Sequence, residues 1–245
     1  MGGIKKEYMP LGTEIVSGEL SESDGRRSGK GYTVLGAVLK AFASCPHIGT
    51  IIITIPPGSE KDENTARASL PEEFRSGEFL SLKERKHIFF VHGGSTRRAS
   101  VYNALKQLAS SSPSLVLIHD GARPWIKKEL IESIMDAAVK YGAAIPALPI
   151  NETPKEIDAS GDPVFIKKHL KRKTIYAAQT PQGFRFPEIL KAHEKAAERE
   201  ARDGIEYTDD AEVWGEFVGQ VAVIPGDPEN RKITYPGDLV KPASE

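Results

Sequence analysis

The feature that most restricts what this chain can fold into is a change of hydrophobic period that recurs along its middle. Residues 50–55 (TIIITI), 88–92 (IFFVH) and 114–119 (SLVLIH) are short β-branched or aromatic apolar runs. Runs of that length read as strands buried on both faces. Between and after them apolar residues return at helix spacing, as Val34, Leu35, Val38, Leu39 and Phe42, then Val101, Leu105 and Leu108, then Leu130, Ile131, Ile134 and Met135. A further strand is predicted at 143–149 (AAIPALP). Strand–helix alternation requires crossovers, so the expected class is α/β, with a mostly parallel sheet covered by helices. After residue 150 the segments shorten to KEID, PVFIKK and TIYAAQT, which predicts a β-rich arm over about 150–178. Helices are then predicted at 187–200 and about 209–217, and strands near 220–224 and 232–235. Residues 57–78 read as irregular with one short helix. The polar, Gly/Ser-rich stretch 11–32 reads as a loop or small hairpin without an assigned role.

Charge and cysteine content narrow the function. The 33 Lys and Arg against 34 Asp and Glu give a formal net charge of −1. Nothing therefore draws the whole chain to nucleic acid or an anionic membrane, and any phosphate-binding charge must be local. The 245 residues suit one domain. Cys45 is the sole cysteine and cannot form an internal disulfide, which points to a reducing cytoplasm. The opening MGGIKKEYMPLGTE lacks the apolar segment of a secretory signal, and no apolar run approaches the ~18 residues that cross a bilayer.

Several segments carry residues suited to nucleotide chemistry. GGSTRRASVYNAL (93–105) follows a predicted strand and opens a helix. Gly93 and Gly94 allow the backbone to approach a ligand, and the helix-start N–H groups suit an anion or a base edge. Ser95 or Thr96 equally suits a helix cap. In IHDGARPW (118–125) an apolar strand runs into Asp120 at its carboxyl end, where open α/β sheets place ligands. Asp120 suits a ribose hydroxyl or Mg²⁺, and Arg123 a phosphate. The same segment also describes a turn before a helix, with His119 packing or hydrogen-bonding locally. QTPQGF (179–184) puts Gln179 and Thr180 at another strand end, and YTDDAEV (207–213) offers Thr208 or Asp209 as a cap. Lys232 lies in a Gly-, Pro- and Asn-containing loop before a predicted strand; with Lys5, Lys6, Arg97, Arg123 and Arg172 it is a candidate for a convergent site for several phosphates. No H-E-x-x-H, G-x-S-x-G, C-x-x-C or Walker-A string occurs, so hydrolase, zinc and P-loop readings lack support.

The ordered set KKEYMPL, GGSTRRASV, HDGARP, NETPKE, AQTPQGF, TDDAEV and ENRKITYPGDL resembles the 2-C-methyl-D-erythritol 4-phosphate cytidylyltransferase family of the non-mevalonate isoprenoid pathway, over essentially Gly3 to Leu239. The resemblance implies a Rossmann-like nucleotidyltransferase fold and a β-arm that makes a homodimer. It also implies transfer of a cytidylyl group from CTP to methylerythritol phosphate, with Mg²⁺ as the metal. Carried over by position, Lys6 would stabilise charge on the triphosphate, with Lys232 and Arg172 beside it in the catalytic set. Gly94, Ser95 and Ser100 match positions on the cytosine and ribose side, Ser95 standing where many members have Asp. Asp120 matches the ribose- and metal-side Asp, with Gly121 in place of the usual Ala, and Arg97, Arg123 and Thr180 complete the substrate-binding set. Thr153, Arg172 and Lys232 match positions that hold the acceptor phosphate, Arg172 acting from the neighbouring subunit.

The family pattern opens with a strand and an Ala-Ala-Gly-x-Gly-x-Arg-Met-Gly loop around the CTP phosphates, of which this chain carries only Met1-Gly2-Gly3. Loss of that strand is expected to leave neighbouring backbone groups unpaired. Either a start assigned at the Met of that loop or a decayed enzyme accounts for this, and the intact remainder of the site favours the first. Two other functional readings stand beside the main one. Ribitol 5-phosphate is an alternative acceptor, although Ala122 in the ARP string favours the erythritol enzymes; the other is a catalytically weak or dead dimeric module.

Overall fold

Thr33 starts the first helix by accepting a hydrogen bond from the Gly36 N–H at 3.0 Å, while its hydroxyl donates to the Ser69 carbonyl at 2.7 Å. That cap leads into α1 (Val34–Ala43), whose Val34, Leu35, Val38, Leu39 and Phe42 are buried, as the periodicity predicts. The computed structural model describes residues 5–11, 32–56, 60–81 and 84–239. Met1-Gly2-Gly3 and nearly all of the polar stretch 11–32 lie outside the described residues. The chain continues through β1 (Thr50–Ile55), α2 (Glu60–Ala68), β2 (Glu78–Ser81), β3 (Glu84–His92), α3 (Arg97–Gln107), β4 (Leu115–Ile118) and α4 (Lys128–Tyr141). Beyond it follow β5 (Ala143–Pro149), β6 (Lys155–Asp158), β7 (Phe165–His169), β8 (Tyr176–Ala178), β9 (Gln182–Arg185), α5 (Glu188–Asp203), α6 (Asp210–Phe217) and β10 (Ala222–Pro225).

The α/β class holds, with mixed strand pairing. The parallel pairs are β1 with β3 and β5 with β10. Antiparallel neighbours enter where β2, β8 and β9 pair with β3, β5, and both β4 and β5, respectively. Among the described residues the strands form one sheet ordered β1-β3-β2, a second ordered β10-β5-β9-β4 with β8 on β5, and a two-stranded β6-β7 hairpin. Among the described residues, β1 and β4 are therefore each bonded on one side only. Helices span the interval. Leu105 and Val101 of α3 pack with Val116 and Ile118 of β4, and α3 also touches β1 and β3. Phe42 of α1 and Ile131 of α4 share a cluster with Ile51 of β1 and Leu117 of β4. Because Val116 and Leu117 point to opposite faces of the strand, β4 is covered from both sides.

One local expectation fails. The predicted strand at 232–235 does not form: the segment runs as irregular chain into a single 3₁₀ turn, Pro236–Leu239, and Ile233 makes one backbone bond, to the Ala122 carbonyl at 2.8 Å. The apolar residues there pack without a partner strand, Ile233 and Leu239 closing on Val34. The stretch 57–78 holds the expected short helix, α2, followed by a 3₁₀ turn at Glu72–Phe74, with Ala66, Leu70 and Phe74 buried against Leu39 and Ile55.

Close packing leaves no room for a side chain at Gly183. A Cβ on Gly183 of β9 would lie 2.8 Å from Ile134 Cγ2 and 3.1 Å from Ala138 Cβ of α4. Gly183→Ala is expected to destabilise the protein by about 1–3 kcal/mol through overpacking, read as a lower urea midpoint with unchanged m-value. An unshifted midpoint would mean that α4 can withdraw from β9 at no cost.

Candidate active site

Three loops meet at the carboxyl end of β4. The strand delivers His119 and Asp120 into a tight turn closed by the Arg123 N–H on the Asp120 carbonyl at 3.0 Å. Residues 179–181 arrive from β8, and 227–233 from β10. Asp120 Oδ2 lies 3.2 Å from both Arg123 Nε and Lys232 Nζ. Burial alone would raise the pKa of Asp120, but Lys232, Arg123 and, at longer range, Arg97 hold it below the ordinary carboxylate value. Lys6 joins from the opening segment, its Nζ donating to the Ile233 carbonyl at 2.8 Å. Gly121 faces the same segment, since a Cβ there would sit 3.7 Å from Glu7 Cγ. Lys6, Gly121, Asp120, Arg123 and Lys232 are thus brought together from three distant parts of the chain.

The turn before α3 forms a second wall. Thr96 caps the helix by accepting the Ala99 N–H at 3.0 Å, leaving Ser95 exposed at the turn. The Ser100 hydroxyl donates to the Thr96 carbonyl and accepts the Gly94 N–H, so it shapes the turn from within. Gly93 and Gly94 are required by contact, because added Cβ atoms would lie 2.6 Å from Ser100 Oγ and 2.5 Å from Ala99 Cβ. Arg97 pairs with Asp210 Oδ2 at 2.7 Å. Burial works against the Arg97 charge, and Asp210, Asp120 and Asp209 outweigh it.

Behind Arg97 lies a polar interior, of which only Asp209, as a helix cap, was legible in the sequence. Asp210 is 0 % exposed, and its Oδ1 lies 3.2 Å from Nε2 of the equally buried His193 of α5. Burial would raise the Asp210 pKa; His193 and Arg97 hold it low. The neighbouring Asp209 caps α6 through the Glu212 N–H at 2.8 Å and accepts from Gln182 Nε2 at 2.7 Å. Gln182 returns a bond from the Ala211 N–H to its Oε1. Asn230, wholly buried, donates to the Thr180 carbonyl at 2.8 Å, and its own carbonyl receives Arg123 Nη1 at 2.9 Å. Gln182, Asn230 and the aspartate pair lie within the QTPQ, ENRKIT and TDDAEV strings, with Asp209 already a cap candidate, whereas His193 offered no sequence signal.

Thr180 is 5 % exposed, with its hydroxyl engaged by the Asp120 N–H and His119 Nδ1, so it supports the Asp120 turn from behind. Thr153 and Arg172 belong to the arm. Both are exposed, Arg172 donating to the Asn151 carbonyl at 2.8 Å, and no described hydrogen bond or ion pair links either to Asp120 or Lys232. Among the described residues no group of three or more His, Cys, Asp or Glu could hold a metal. A protein cage is absent there, while one carboxylate at Asp120 remains.

Burial pushes the His119 imidazole from its ordinary 6.5 down to about 4. Between these values the unfolded chain takes a proton that the folded site refuses, so folding stability falls as the pH drops through this window. The loss should reach about 3 kcal/mol near the bottom of the window, read from urea unfolding at neutral pH and near pH 4.5. His119→Gln should flatten that slope, and an equally steep slope in the variant would assign the titration to another group.

Known proteins resemble this chain in sequence and fold. The sequence profile of the family described as 2-C-methyl-D-erythritol 4-phosphate cytidylyltransferase (IspD) matches residues 27–243. A bifunctional enzyme IspD/IspF of Bradyrhizobium sp. is 38% identical over 213 residues, covering 86% of this chain and 48% of that protein, so the chain spans about half the length of the bifunctional relatives it matches. A 2-C-methyl-D-erythritol 4-phosphate cytidylyltransferase of Geobacillus thermodenitrificans is 40% identical over 168 residues, 67% of this chain and 69% of that protein. The crystal structure of 4-diphosphocytidyl-2C-methyl-D-erythritol synthase from Anaerococcus prevotii superposes with a TM-score of 0.69 at 30% identity, covering 86% of this chain and 84% of that one. With the profile spanning most of its length and its fold matched by a solved structure, this chain belongs to the 2-C-methyl-D-erythritol 4-phosphate cytidylyltransferase family.

Proposed function

We propose that the protein transfers a cytidylyl group from CTP to 2-C-methyl-D-erythritol 4-phosphate, giving 4-diphosphocytidyl-2-C-methyl-D-erythritol and pyrophosphate. The observation that carries this reading is the Asp120 carboxylate flanked at 3.2 Å by Arg123 and Lys232, with Lys6 anchored one residue away on Ile233. A phosphate oxygen of the acceptor attacks the α-phosphorus of CTP; the new P–O bond forms as the bond to the β-phosphate oxygen breaks, and pyrophosphate leaves. Such chemistry asks the protein chiefly for alignment and for positive charge where negative charge is redistributed. Lys6, Lys232 and Arg123 supply that charge, and the glycine turn at 93–94 lets the nucleotide approach the backbone. Mg²⁺ would be held by one carboxylate, Asp120, together with substrate phosphates and water, a ligand set that this ion commonly takes. When bound, it would neutralise phosphate charge.

The reading includes a homodimer formed through the arm. The β6–β7 hairpin leaves Ile157, Val164, Phe165 and Ile166 exposed, Phe165 by 69 %. A cluster of large apolar side chains on a protruding hairpin fits a protein contact. The arm also carries Thr153 and Arg172, which this reading sets against the acceptor phosphate of the neighbouring subunit. The single cysteine is buried and free, which supports a cytoplasmic setting, and no described helix is long and apolar enough to cross a membrane.

Pyrophosphate release from CTP should depend on methylerythritol phosphate, and preference for ribitol 5-phosphate by kcat/KM would reassign the acceptor. Lys6→Ala should lower kcat by ~10² or more, on the scale of losing one oriented donor, whereas Arg172→Ala should chiefly raise KM for the acceptor. At acceptor concentrations far below the raised KM, where each variant alone is nearly inactive, mixing the two under subunit exchange should restore roughly a quarter of wild-type activity, because half the dimers are mixed and half of their sites are whole. No recovery despite demonstrated exchange would place both residues in the same chain's site.

A further inference from the structure

His119 stands beside Asp120 yet faces away from the basic cluster, its ring 5.0 Å from that of Phe42. Its two nitrogens are both engaged. Nε2 lies 3.2 Å from the Arg123 carbonyl, and Nδ1 3.0 Å from Thr180 Oγ1. A carbonyl oxygen can only accept, so Nε2 must carry the hydrogen. Thr180 Oγ1 already accepts the Asp120 N–H at 3.0 Å. Its own hydroxyl hydrogen is then free to point at Nδ1, which accepts it in the neutral ring. Every donor meets an acceptor in this one assignment, and the direction runs from Asp120 N–H to the Thr180 hydroxyl, to His119, to the Arg123 carbonyl.

Two further bonds close the circuit. Arg123 Nη1 donates to the Asn230 carbonyl at 2.9 Å, and Asn230 Nδ2 donates to the Thr180 carbonyl at 2.8 Å. Arg123, Asn230, Thr180 and His119 therefore form a closed ring that ties together the three loops bearing Asp120, Thr180 and Lys232. Thr180 and Asn230 are buried, so water does not replace these bonds without moving the loops. Asp120 is held twice from this ring, by its N–H on the Thr180 hydroxyl and by its carboxylate on the Arg123 side chain.

We infer that His119 is a positioning residue which, as the Nε2–H tautomer bonded to Thr180 and the Arg123 carbonyl, fixes the Asp120 turn so that its carboxylate stays between Arg123 and Lys232. It touches no substrate. It orients a group that does, as partners of a liganding side chain do elsewhere, where their removal costs 10–100-fold in activity. For its kinetic consequence the inference rests on the proposed transferase activity; its structural content does not.

The test uses the full chain and two variants, His119→Phe, which keeps a ring against Phe42, and Thr180→Val, which keeps the shape and removes the hydroxyl. Nitrogen-15 NMR of the wild-type histidines at neutral pH should report His119 as the Nε2–H tautomer. The Asp120 amide should exchange with solvent at least about tenfold faster in either variant than in wild type, with the slowest core amides unchanged. In the transferase assay each variant should lose about 10–100-fold in kcat/KM. The double variant should lose no more than the worse single one, because both break the same ring. An Nδ1–H tautomer, an Asp120 amide equally protected in the variants, or additive losses would overturn the inference. Should wild type lack transferase activity, the exchange and tautomer measurements still decide the matter, and only the function reading falls. Should His119→Phe fail to fold, Thr180→Val decides it alone.

Discussion

A carboxylate drawn largely out of water must be matched by positive charge or give up its own, and Asp120 is matched twice. Lys232 and Arg123 reach the same oxygen at 3.2 Å, against a burial cost that would otherwise favour the neutral acid. That arrangement constrains the rest of the site. Arg123 can serve Asp120 only while its other nitrogen is satisfied at Asn230, and Asn230 stays buried only because it reaches the Thr180 backbone. The position of one charge therefore settles the course of the loops that follow β8 and β10. Lys6 is drawn in by the same logic, because the irregular chain at Ile233 leaves a carbonyl for its ammonium to meet.

The wall opposite repeats this pattern with different residues. Arg97 is neutralised by Asp210, and Asp210 is closed in by His193. Its guanidinium is thus partly spent on holding the start of α6 beside the start of α3. The pair of aspartates divides its work. Asp209 caps the helix and binds Gln182, while Asp210 turns inward to the arginine.

How much of this the sequence made legible follows from where the physical cause lies. The helices α1 and α4 were readable because their buried residues recur with the turn of the helix, and Asp120 because an apolar strand ends on it. Lys232 was readable as a site residue, but not the absence of a strand after it, since a strand exists only if another strand offers its ladder. His193 was unreadable, and the structural roles of Asn230 and Gln182 were unreadable even within quoted strings, for a related reason. Local patterning reports burial of apolar side chains, whereas these polar ones are buried only because partners as remote as Thr180, Asp210 and Asp209 meet them. Thr153 and Arg172 show the reverse: they could be picked out from the segments around them, yet no described hydrogen bond or ion pair joins them to Asp120.

The links around Asp120 join residues far apart along the chain. Arg123 and Asn230 are separated by 107 positions, His119 and Thr180 by 61, and Thr180 and Asn230 by 50. Each must repay the entropy of closing a long loop before it contributes anything. Only the Asp120–Arg123 pair lies within one short stretch; the Lys232 contact and the bonds to Thr180 and Asn230 need distant parts of the chain to meet first. The site is thus a late product of folding, and binding competence reports on completion of the fold as a whole rather than on the integrity of any one motif.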